Sequence, residues 1–255
     1  MDLALISADG SNLENFIMKK IWDQIYEPFR RRIISLKPLR RKSYQKKFKM
    51  SLRQWLIYHQ DKIVFDQVSW MGTPVLKNPL DAWIYQEIIH EVKPDIIIEI
   101  GSKFGGGTKY LANLLDIIDK GMVISIDIDR SEYNLSHKRV EELTGNSSDP
   151  IIISRVASLC RGKTALVIQD GGHSRKQALE DLENYSQFVS INSYFIMEDG
   201  IVDLFHDGDG LGFQEDGPLT AVEEFLSRNS HFEIDHSRER YILTYNPNSF
   251  LRRIS

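Results

Sequence analysis

From Lys93 onward the chain alternates short unbroken apolar runs with longer segments of mixed character. The runs are Ile96–Ile100, Met122–Ile128, a weaker one ending at Thr144, Thr164–Gln169, Tyr194–Met197, Phe232–Ile234 and Tyr241–Thr244. Apolar residues at successive positions over so short a length suit a strand covered on both faces, the environment of a parallel sheet. Helices are expected for Thr108–Ile118, Pro150–Leu159, Arg175–Val189 and Leu219–Arg228. Strand and helix in alternation predict an α/β fold with a doubly wound, mostly parallel sheet.

Upstream of Lys93 the pattern is helical. Leu13, Phe16, Ile17, Trp22, Ile25 and Tyr26 recur at helical spacing between Asn12 and Phe29, and Pro28 breaks the segment. Two further helices are expected at Ser51–Tyr58 and Pro79–Glu91, the second with Leu80, Trp83, Ile84 and Ile88 on one side and Asp81 near its start. Between them, Ser69–Pro79 reads as an ordered loop. Ile201–Gly217 sets Gly208, Gly210, Gly212 and Gly217 among acidic residues and reads as a mobile loop or lid. The expected organisation is an N-terminal helical, basic extension over residues 1–60 and an α/β domain over residues 61–255.

Composition narrows the class. With 255 residues, 42% of them hydrophobic and 27% charged, the chain has the content of a globular protein that folds without cross-links. Its single cysteine, Cys160, excludes an internal disulfide and fits a reducing compartment. The amino terminus has Asp2 where an export signal needs basic residues, so a cytoplasmic location is expected. No apolar stretch approaches the ~20 residues of a membrane span. Charge is divided unevenly: Lys19–Arg53 holds 13 basic and 2 acidic residues, net +11, which leaves −15 on the remainder. Such a block suits peripheral contact with an anionic membrane, or docking on the acidic body of a second copy as a homo-oligomer; a solvated helical face is the plainer alternative. Aromatic residues do not interleave with it in an RNA-binding pattern, so nucleic acid is not an expected partner.

The first chemical signal lies after the run Ile96–Ile100. Gly101, Gly105, Gly106 and Gly107 join a strand to a helix at the sheet edge where doubly wound folds bind cofactors. Their GxxxGGG spacing differs from the GxGxxG dinucleotide fingerprint, and Glu99 would repel a pyrophosphate while welcoming an ammonium. That combination points to S-adenosylmethionine (SAM). Asp127 and Asp129, at the end of the next run, offer acceptors for ribose hydroxyls, although a glycine-rich turn also serves tight packing alone.

The second signal is a set of carboxylates at consecutive strand ends. Asp170 closes one run, and Glu198 and Asp199 close the next. On neighbouring strands their oxygens would suit a hard cation such as Mg²⁺, with positions left for substrate and water. His173, three residues beyond Asp170, is then placed as general base toward a hydroxyl. The alternative for Asp170 is a capping role at the helix near Arg175.

In sequence order, Trp70–Ile88, Glu99–Gly107, Gly145–Pro150, Asp170–Ser174, Glu198-Asp199 and Ser237–Pro247 resemble the cephalosporin hydroxylase and rhamnosyl O-methyltransferase family of SAM-dependent enzymes, over about Ser69 to Arg253. The resemblance implies a seven-stranded class I methyltransferase sheet, Rossmann-like in winding. It implies SAM held by Glu99, Gly101, Ser102, Gly105, Gly106, Gly107 and Asp127, with Asp170 bordering it and Ser147 or Ser148 near the adenine. It also implies Mg²⁺ at Asp170, Glu198 and Asp199, His173 and Asp170 in catalysis, and a sugar hydroxyl of a glycolipid, polysaccharide or natural product as acceptor. A nicotinamide-dependent oxidoreductase and a non-catalytic SAM- or nucleotide-binding subunit are the alternatives.

Overall fold

The computed structural model describes residues 45–205 and 216–255. The expected helix at Asn12–Phe29, most of the basic segment and most of the expected lid lie outside the described residues. The chain divides into two compact units, residues 1–55 and 56–255. In the first, the Ser51 hydroxyl accepts from the Gln54 amide, and Gln54 Oε1 accepts from the Ser51 amide, a reciprocal cap that starts the helix Leu52–His59.

The second unit is built on seven strands: β1 (Ile96–Ile100), β2 (Met122–Asp127), β3 (Val140–Thr144), β4 (Ala165–Gln169), β5 (Tyr194–Met197), β6 (Phe232–Ile234) and β7 (Phe250–Arg253). Their order is β3-β2-β1-β4-β5-β7-β6, parallel throughout except for β7, which runs antiparallel to both neighbours. Every residue of β1, β4 and β5 is buried, which is why these strands read as unbroken apolar runs.

Two helices, α1 (Pro79–Val92) and α2 (Gly106–Ile117), cover one face through Ile84, Ile88, Leu111 and Leu115, packed on Ile97, Val123 and Ile168. Three more, α3 (Pro150–Cys160), α4 (Arg175–Tyr185) and α5 (Pro218–Arg228), cover the other through Val156, Leu182, Tyr185 and Phe225. The helix expected through Val189 ends at Tyr185 and continues as a 3₁₀ turn at Ser186–Phe188. The expected loop before α1 contains a two-stranded antiparallel ribbon, Ser69–Trp70 with Thr73–Pro74.

One expected strand is misplaced. Tyr241–Thr244 does not pair; the last strand is Phe250–Arg253. Ile242 is 80% exposed at φ +70°, a left-handed conformation that interrupts extended backbone, and the Thr244 hydroxyl donates to the buried Asp81. Asp81 also accepts from the Tyr245 amide and from Asn78 Nδ2, so one carboxylate ties the segment after Tyr241 to the start of α1.

Candidate active site

A cavity of about 640 Å³ opens at the carboxyl ends of β1, β2 and β4. Parallel winding brings the end of each of these strands to one edge, so residues far apart in sequence share its wall.

The turn after β1 forms the floor. Gly101 has φ +87°, and a Cβ there would collide with the carbonyl oxygen of Asp170; at Gly106 a Cβ would collide with that of Pro74. Close packing of loop backbone on backbone is thus one reason for glycine here. Gly101, Gly106 and Gly107 line the cavity, whereas Gly105 packs against Tyr133. Asp127 organises the same turn: its Oδ2 accepts from the amides of Ser102 and Lys103, both at 2.8 Å, and its Oδ1 from that of Asp129 at 3.0 Å. Burial pushes this carboxyl up, and the three amides outweigh it and hold it below the usual range. Asp129 is exposed and bonded to Ser131, away from the cavity wall.

Glu99, the fourth residue of β1, is 1% exposed. Thr108 donates to its Oε2, and its Oε1, which is buried, has no hydrogen-bond partner among the described residues. Burial is the main reason its pKa rises to about 7, against the opposing charge of Lys77 and the Thr108 bond. An unpaired carboxylate oxygen in a cavity wall is costly unless a cationic donor fills the place in function.

On the far side, Ser147 lines the cavity and is bonded by Gln177 Nε2 at 3.4 Å. Ser148 does not line it; its hydroxyl donates to Glu180, because the turn Asn146–Asp149 directs the two neighbours apart.

Asp170, His173 and Asp199 share the remaining wall. His173 Nε2 is 3.7 Å from Asp199 Oδ2. Asp199 is fixed in a left-handed conformation, φ +60°, with its amide donating to Asn246. Burial, then the charge of Asp170, raises its pKa to about 6 against the opposing influence of His173. Asp170 does not cap α4, where the Ser174 hydroxyl accepts from the Gln177 amide.

The geometry departs from expectation at Glu198, which does not line the cavity. Lys77, absent from the candidates read in the sequence, extends its ammonium between Asp170 Oδ2 at 2.8 Å and Glu198 Oε1 at 2.5 Å. Burial works against a charged lysine, and Asp170, Glu198 and Glu99 together more than reverse it, so its pKa is raised. Glu198 is raised well above the usual range by burial first and the charge of Asp170 second. The three carboxylates meet at one edge, yet among the described residues no three His, Cys, Asp or Glu side chains form a metal-holding cluster. Of these three, Asp170 and Asp199 line the cavity, a set that suits Mg²⁺, which keeps several waters and takes one or two protein carboxylates.

Tyr245 also borders the cavity, with its hydroxyl 2.6 Å from His59 Nδ1. Like Lys77, it lies in a stretch that shares no chemistry-bearing spacing with the glycine loop, so topology alone brings it there.

Residues 62–254 match the family described as Rhamnosyl O-methyltransferase/CmcI. The Rhamnosyl O-methyltransferase of Mycobacterium leprae is 28% identical over 77% of this chain and 87% of its own length. That of Mycobacterium tuberculosis strain H37Rv is 27% identical, covering 77% and 82%. A solved CmcI structure described with Mg and SAM superposes at a TM-score of 0.59, 20% identical over 80% of this chain and 85% of that one. A second, described with S-adenosylhomocysteine, gives 0.58 at 19% identity over 80% and 92%. At these identities the superpositions establish a common fold, the class I methyltransferase sheet.

Proposed function

Because the chain belongs to the rhamnosyl O-methyltransferase/CmcI family, we propose that it transfers the methyl group of SAM to a sugar hydroxyl, rhamnosyl or another deoxysugar, borne on a glycolipid, polysaccharide or natural product. The observation that carries this reading is that Glu99, whose buried Oε1 has no hydrogen-bond partner among the described residues, lines the same cavity as His173, Asp170 and Asp199. One end offers a carboxylate to an amino-acid ammonium, and the other offers a base and acidic oxygens to a hydroxyl.

In this reading Glu99 binds the ammonium of SAM, the turn Gly101–Gly107 borders its amino-acid portion, and Asp127 receives the ribose hydroxyls while holding the turn in shape. Ser147, with Gln177, borders the adenine. The electropositive loop-to-helix junction that would attract a pyrophosphate lies beside Glu99, which disfavours a dinucleotide. Asp170 and Asp199, joined by Glu198 where Lys77 releases it, would hold Mg²⁺, which when bound makes a contacting hydroxyl easier to deprotonate. His173 accepts the hydroxyl proton on its ring, and the Asp199 carboxylate beside Nε2 stabilises the imidazolium. The oxygen bonds to the methyl carbon as the carbon–sulfur bond breaks, and a neutral thioether leaves. Orientation of the two reactants in one cavity supplies much of the acceleration.

Calorimetric titration with S-adenosylhomocysteine, followed by Mg²⁺, tests the assignment. We expect cofactor binding in wild type and in Asp170→Asn, with the Mg²⁺ response weakened in the variant. Mg²⁺ binding of equal strength in both would remove Asp170 from the metal site.

A further inference from the structure

We infer that Lys77 is a resident counter-cation of the acidic edge, so that a divalent cation drawing on Asp170 and Glu198 enters by exchange with the lysine ammonium. This rests on the proposed reading that the carboxylates at this edge take a metal.

The ammonium already fills the space a shared cation would need, at 2.8 Å from Asp170 Oδ2 and 2.5 Å from Glu198 Oε1. Lys77 and Glu198 side chains are each 6% exposed, against 20% for Asp170 and 21% for Asp199, so the lysine sits on the inner half of the cluster. Its position is built. Asn78, the next residue, accepts from the Leu80 amide and starts α1, which fixes the backbone of Lys77. The stem then passes Gly107, where a Cβ would lie 2.9 Å from Lys77 Cε. The helix that begins at the glycine turn therefore leaves a channel for this side chain.

A divalent cation and an ammonium on the same oxygens repel each other, and the low-dielectric surroundings strengthen that repulsion. Without a metal, the Lys77 ammonium bridges Asp170 and Glu198. With a metal on those oxygens, repulsion drives its ammonium off at least one of them, and its flexible stem permits that movement. Resident lysine thus weakens divalent binding and preserves the acidic edge when no metal is present.

The test is Mn²⁺ titration, followed by the electron paramagnetic resonance of the free ion, on wild type, Lys77→Gln and Lys77→Arg. Lys77→Gln, which retains hydrogen bonding but not charge, should bind Mn²⁺ about tenfold or more tightly. Lys77→Arg should stay near wild type. The glutamine variant should also melt lower without metal and recover on Mn²⁺ addition by more than wild type does. A variant that folds only with Mn²⁺ supports the exchange; one unfolded with and without it overturns the exchange. Wild-type binding with unchanged or weaker binding in folded Lys77→Gln overturns the exchange alone. Absence of Mn²⁺ binding in every form overturns both this inference and the metal reading beneath it.

Discussion

Replacing Glu99 by Gln isolates the group on which cofactor recognition depends. The substitution keeps an oxygen for Thr108 and nearly the same volume, so the buried end of β1 stays packed. What disappears is the charge offered by Oε1, the atom without a partner. A hydrogen bond to a charged group is worth about 1.5–3 kcal/mol, so S-adenosylhomocysteine should bind about 10- to 150-fold more weakly. The pH dependence gives an independent signature. Burial raises the Glu99 pKa to about 7, and an ammonium ligand prefers the ionised form, so wild-type affinity should rise as pH increases through that value. At pH 6 about a tenth of the carboxyl is ionised, which predicts affinity about tenfold below that at pH 8. The glutamine variant has no such proton to lose and should show a flat profile. Isothermal calorimetry at several pH values reads both effects. Unchanged affinity together with an unchanged pH profile in Glu99→Gln would refute the assignment of Oε1 to the cofactor ammonium.

Gly101→Ala should lower the melting temperature by the equivalent of about 2 kcal/mol or more and abolish S-adenosylhomocysteine binding, because its Cβ meets the Asp170 carbonyl at a left-handed φ. Circular dichroism and calorimetry on the same preparation would show it. Asp81, held at about 6 by burial against three hydrogen bonds, binds its proton more tightly in the folded than in the unfolded chain, whose ordinary value is 3.8. Its contribution therefore favours the fold at low pH and is lost as pH rises from about 4 to about 6, by about 3 kcal/mol. Denaturant melts of wild type and Asp81→Asn should differ in their change of stability across that range by this amount; parallel pH dependences would count against it. His173→Ala should cut kcat by about 10²–10⁴ while leaving S-adenosylhomocysteine affinity within about twofold. A variant turning over at full rate would remove the base assignment.

The central strands were legible because burial on both faces leaves a mark on every residue: Ile96–Ile100, Ala165–Gln169 and Tyr194–Met197 contain no position that tolerates solvent. The terminal strand was not, because Tyr241–Thr244 has the apolar content of a strand while its conformation is dictated by Asp81, which lies on α1. Within the site, strand-end residues such as Glu99, Asp127, Asp170 and Asp199 could be found because position at a parallel strand's carboxyl end is itself a signal. Lys77 precedes α1 in a loop, and its role exists only through contacts to residues 93 and 121 positions away, which no local pattern encodes. Asn78 at the helix start was the nearest clue, since a capped helix fixes the residue before the cap. Ser148 failed for the opposite reason: adjacent serines in a turn point apart, and the turn delivers Ser147 alone to the cavity.

The most direct measurement is methyl transfer itself. Wild type and His173→Ala, each with methyl-labelled SAM and Mg²⁺, would be incubated with a panel of rhamnosides and other deoxysugar glycosides, and products analysed by mass spectrometry. The account predicts a labelled methyl ether on a sugar hydroxyl with wild type and a large loss of that product with His173→Ala. Labelled product formed equally by both forms, or cofactor binding by a nicotinamide dinucleotide in place of S-adenosylhomocysteine, would contradict it.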